Sequence, residues 1–150
     1  MPKRKERSVF WVVSTHVLTT GFAMPFVASL VAGAVVLSIQ PSPLVSFLIL
    51  LAAQAVGYIG GVFYSLSYIR KVAIVPNPAA CIKPSILTFT ALALIGLTVN
   101  LLRILGQGGT SIHSIVIVLA LVVFYTLICI AFAKYTRDGF SQMPPGTMDA

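Results

Sequence analysis

Four long apolar runs are separated by short segments that hold nine of the chain's ten basic residues. The basic segments are Lys3, Arg4, Lys5 and Arg7, then Arg70, Lys71 and Lys83, then Lys134 and Arg137, while Arg103 stands apart. Lys and Arg resist translocation and stay on the cytoplasmic face of a bilayer. The alternation therefore predicts an all-α membrane protein, a four-transmembrane-helix up-down bundle with both termini cytoplasmic. A helix is the form in which such a run satisfies its own backbone in lipid, and the strict alternation of barrel strands is missing.

Hydrophobic residues make up 58% of the chain and charged residues 9%. Soluble domains carry about 25% charged residues, so this chain cannot cover a water-facing surface. The net charge of +7 forms collars beside the spans rather than one basic face. Nucleic acid is not an expected partner, whereas anionic lipid head groups are.

The expected layout is a basic segment at 1–8, a transmembrane domain at 9–134 and a disordered cytoplasmic tail at 135–150. The spans are placed at about 9–39, 44–69, 85–105 and 112–133. The first run is too long for a secretory signal and is expected to be retained as a helix. Pro25 is expected to kink it, and Pro41 and Pro43 to end it in a short outer turn. Pro84 is expected as the first residue of the third span. Gly106 to Ser111 reads as a flexible outer loop. The bilayer is expected to be a plasma (inner) membrane.

The second span contains small residues at four-residue spacing. Ala53, Gly57, Gly61 and Ser65 recur in this way with Gly60 alongside. Such a row lets another helix approach closely, and it predicts a packing seam. A shorter version joins Ser29 to Gly33 in the first span. The spacing does not say whether the partner helix belongs to the same chain.

Polar residues inside apolar runs are expected to turn away from lipid. By depth they fall into two layers. The inner layer is His16, Tyr58 or Tyr64, Thr88 and Tyr125. The outer layer is Gln54, Asn100 and Arg103. Together His16, Gln54, Tyr58, Asn100, Arg103 and Tyr125 are the candidate lining of a ligand or solute path. Interhelical hydrogen bonding is the competing account of the same residues.

The acids Glu6, Asp138 and Asp149 all lie outside the expected spans. A proton antiport driven by an intramembrane carboxylate therefore has no residue to run on unless His16 substitutes for it. His16 and His113 fall at opposite depths, which removes a bis-histidine haem. Cys81 and Cys129 have no metal-binding spacing and face a reducing side, so no disulfide, metal or cofactor is expected. No nucleophile–base–acid set is visible, so the chain is not expected to be an enzyme. The expected function is helix–helix packing, as a homo-oligomer or an accessory subunit of a membrane complex. A small oligomeric transporter or channel is the alternative.

Overall fold

The computed structural model describes residues 4–106 and 112–144, the side chains of residues 112 and 113 excepted. Lys3, the 107–111 loop, the His113 side chain and residues 145–150 with Asp149 lie outside the described residues.

The regular structure of the described residues is helical apart from one pair of two-residue strands. Its order is β1 (Lys5–Glu6), α1 (Val9–Leu18), a π-helical turn (Thr19–Ala23), α2 (Met24–Ile39), α3 (Pro43–Val72), β2 (Ala73–Ile74), α4 (Ala79–Gly106) and α5 (Ile112–Ser141). Four helical segments are long and apolar enough to cross a membrane, with mean hydropathy between 1.9 and 3.1. Only 11% to 22% of each apolar window is buried inside the chain. The remaining apolar surface therefore faces outward, as it must where the solvent is hydrocarbon. By composition this is a multi-pass membrane protein.

Ser8 starts α1, its hydroxyl accepting the Trp11 N–H at 3.3 Å. Such a cap satisfies one of the orphan donors of the first turn. The first span then runs unbroken from Val9 to Ile39. Pro25 lacks a donor and clashes with the turn before it. The helix absorbs this in the π-helical turn just ahead of the proline. Gln40 ends the span in the left-handed region at φ 49 and returns its N–H to Val36 O at 2.9 Å.

Two expectations about the ends of the spans are corrected. The third span does not begin at Pro84, because α4 starts at Ala79 and carries Pro84 inside it. Asn77 sets this earlier start, its side chain accepting the Ala80 N–H at 3.2 Å. The fourth helix does not give way to an irregular tail after 133, because α5 continues to Ser141. Phe140 and Met143 are buried against the core, which holds this stretch of the expected tail in place.

The strands join distant parts of the chain. Lys5 and Glu6 pair in parallel with Ala73 and Ile74, and the Arg7 N–H donates to Ile74 O at 3.1 Å. Arg70 Nη2 donates to the Gly139 carbonyl at 2.9 Å. The start of α1, the end of α3 and the end of α5 therefore meet at one end of the molecule. The fully buried side chains lie towards that end, among them Val12, Val17, Ile69, Phe89 and Phe140.

The most extensive helix contact is between α2 and α3, followed by that between α4 and α5. The first of these uses the predicted seam. A Cβ on Gly57 would fall 2.6 Å from Pro25 Cα, and one on Gly61 would fall 2.8 Å from Thr20 Cα. Both positions abut backbone, so a side chain has no room there. The seam is thus filled from within the chain by the π-helical turn and Pro25. Gly60 lies at its edge, with only the Met24 methyl near, and Ala53 is half-buried. Of the two partners that the spacing leaves open, a helix of the same chain is the one that occupies Gly57 and Gly61 here.

Candidate functional site: a buried histidine node

His16 is wholly buried where α1, α3 and α5 meet. Its Nδ1 lies 2.7 Å from Ser65 Oγ and its Nε2 lies 2.9 Å from Thr136 Oγ1. Ser65 and Thr136 are also wholly buried. The Ser65 hydroxyl donates to Val62 O at 3.0 Å. A hydroxyl has one hydrogen, and a carbonyl can only accept. With that hydrogen given to Val62, Ser65 accepts from His16, so Nδ1 carries the ring hydrogen. Nε2 then accepts from Thr136. Thr20 Oγ1 completes the group at 3.5 Å from Ser65 Oγ.

Aromatic rings enclose the node. Phe132 stacks on the imidazole at 5.0 Å between centroids, and Phe140 meets it edge-on at 5.4 Å. Phe132 in turn stacks on Phe89 at 3.9 Å, and Phe89 meets Tyr58 edge-on at 5.8 Å. Rings from all four spans thus form one continuous run. The node leaves both imidazole nitrogens partnered inside an apolar shell, which is the condition for placing such a group in hydrocarbon. Ser65 beside His16 has the composition of a nucleophile–base pair. Its hydrogen is engaged by Val62 and its oxygen is sealed from any substrate.

The other path candidates lie apart from His16. Asn100 Nδ2 donates to Gly96 O at 2.9 Å and to Tyr125 Oη at 3.4 Å. Gly96 permits this approach, since a Cβ there would come within 3.1 Å of the Tyr125 oxygen. Tyr58 and Tyr125 face one cleft of about 250 Å³ walled by Gly21, Phe22, Phe89 and Gly96. Gln54 is half-buried on α3, and Arg103 is exposed near the end of α4.

The inner layer is therefore corrected. Tyr64 and Thr88 are exposed, and Tyr125 belongs with Asn100. The partners of His16 are Ser65, Thr20 and Thr136. Ser65 stands in the predicted seam, and Thr20 lies four residues beyond His16 on the same helical face. Thr136 lies beyond Lys134, where the charge pattern places the end of the fourth span, and so falls outside the expected layers. The spacing of Phe132, Thr136 and Phe140, four residues apart on one helical face, carried the signal.

Among the described residues, no group of three His, Cys, Asp or Glu side chains converges to hold a metal ion. Cys81 and Cys129 are free thiols. No protein family, curated protein or solved structure shows a significant match to this chain.

Proposed function

We propose that this chain is a small, non-enzymatic, multi-pass membrane protein that acts by packing against other helices, as a homo-oligomer or as an accessory subunit of a membrane complex. One observation carries the reading. Gly57 and Gly61 are spent on internal contacts, whereas a Cβ on Gly33 of α2 would meet nothing within 4 Å among the described residues. Leu30, Val31, Leu37 and Ile39 around it are exposed. In lipid, an open glycine on a helix face is where another helix approaches most closely. Assembly is therefore assigned to α2, and the Gly57–Gly61 row to internal folding.

The bundle runs up and down with both termini on the cytoplasmic side of a plasma membrane. Support comes from the Arg7–Ile74 and Arg70–Gly139 contacts, which gather the three basic segments at one end. That collar also suits anionic lipid head groups.

Cross-linking and native mass measurement in a mild detergent test the proposal. An oligomer or a stoichiometric partner is expected, lost in Gly33→Leu. A strict monomer with nothing copurified would remove the reading.

The cleft faced by Tyr58 and Tyr125 favours a second reading, a transporter that passes or holds a small solute between helices. Solute flux into proteoliposomes, abolished by Tyr58→Phe and Tyr125→Phe together, would support it. Flux equal to empty vesicles would not.

A further inference from the structure

We propose that the groove between α3 and α5, at the end of the molecule where the basic segments meet, binds the head group of a zwitterionic phospholipid, its phosphate on Arg70 and its ammonium on Asp138. The groove encloses about 540 Å³. One part of its lining is apolar, with Phe63 and Leu66 from α3 and Tyr135 from α5. The other part is polar, with Ser67, Arg70, Asp138 and Gln142. An apolar floor that changes to a charged rim along two membrane-crossing helices has the polarity profile of a lipid at the edge of a bilayer.

The charges select the class of head group. Among the described residues the acids are Glu6 and Asp138, and Asp138 stands in this groove. Arg70 gives its hydrogen bond to the Gly139 carbonyl rather than to Asp138. That contact fixes the guanidinium at the rim and uses one of its five donors. The remaining fork suits a phosphate, which Arg binds in bidentate fashion. An anionic lipid without an amine would meet Asp138 as a like charge, whereas an ammonium–phosphate pair satisfies both residues. Gly139 lies against Leu66, so α5 comes close to α3 at the foot of the groove and closes it there.

The full chain in mild detergent, offered phosphatidylethanolamine and phosphatidylglycerol at equal concentration, tests this by native mass spectrometry. Phosphatidylethanolamine should be retained in preference, by about two- to fivefold, the range a partly exposed ion pair spans. Asp138→Asn should erase the preference, and Arg70→Ala should weaken retention of both lipids. Ser67→Trp should block the groove and release both, while leaving the Arg70–Gly139 contact intact. That variant keeps the test decisive if Arg70→Ala does not fold. Equal retention of the two lipids by the parent chain would overturn the assignment. So would a preference for phosphatidylglycerol, or phosphatidylethanolamine retention unchanged in Asp138→Asn and Ser67→Trp. The same spectra report the oligomeric state separately, so the assembly proposal can fail without touching this one.

Discussion

Ser65 Oγ lies 2.7 Å from Nδ1 of His16, and the two residues come from the second and first spans. Thr136 closes the node from the fourth span at 2.9 Å. Interhelical hydrogen bonds in lipid average about 0.6 kcal/mol each. Losing the histidine costs more than two such bonds, because it leaves the buried Thr136 hydroxyl without its acceptor and opens a hole beside Phe132 and Phe140. His16→Ala should lower stability by about 2–4 kcal/mol. Thr136→Val, which nearly keeps the shape, should cost about 1 kcal/mol. Thermal unfolding in detergent measures both. A His16→Ala protein that melts with the parent would show that the node holds nothing together.

Hydrogen placement at the node can be checked directly. The single Ser65 hydrogen goes to Val62, so Nδ1 of His16 should be protonated and Nε2 bare. Nitrogen-15 shifts of a histidine-labelled sample distinguish the two tautomers. The opposite pattern would mean that Ser65 donates to the ring instead of to the carbonyl.

The small residues of α3 should separate into two groups on substitution. Gly57→Leu and Gly61→Leu press a side chain into the backbone of Pro25 and Thr20, and folded yield should collapse. Gly60→Leu meets only the Met24 methyl and should cost about 1 kcal/mol or less. Size-exclusion profiles of the three variants provide the comparison. Equal behaviour of all three would contradict the seam as described.

Truncation separates the helical extension of α5 from the residues beyond it. Ending the chain after Pro144 keeps Thr136, Phe140 and Met143 in place and serves as the reference. Ending it after Lys134 removes Thr136, Phe140 and Met143 together, and should destabilise the fold by several kcal/mol, about 3–5 for the buried aromatic alone. Unfolding midpoints of the two truncated proteins decide the matter.

Ser85 is wholly buried on α4 and, among the described residues, its hydroxyl has no hydrogen-bond partner. An unsatisfied buried polar group costs about 1–3 kcal/mol. Ser85→Ala should therefore raise the melting point. A lower melting point would indicate that the hydroxyl has a partner in the membrane.

The helical architecture was legible because it stems from a long-range requirement that acts on every residue of a span. Backbone polar groups in hydrocarbon must bond locally, and the apolar runs advertise where this happens. The Gly57–Gly61 row was legible for a similar reason, since small residues at helical spacing have few other uses in lipid. Which helix fills the row was not, because periodicity describes one face and says nothing of its partner. The histidine node was half legible. His16 stood out as an ionisable residue inside an apolar run, but its depth partners depended on where each helix ends. Thr136 lies past Lys134, where the charge pattern ends the fourth span, yet a lysine stem can lie along a helix that continues past it. Pro84 misled in the same way, since the cap at Asn77 outweighs the preference of proline for the first helical position.

The pairing of Lys5–Glu6 with Ala73–Ile74 has a consequence for the order of biogenesis. Those strands can meet only once both intervening helices have been threaded into the bilayer. When they do, the leading half of the polypeptide becomes a closed loop fastened at its base. Only residues 75–78 separate that fastening from Ala79, so the first turn of α4 is held close to the first hairpin.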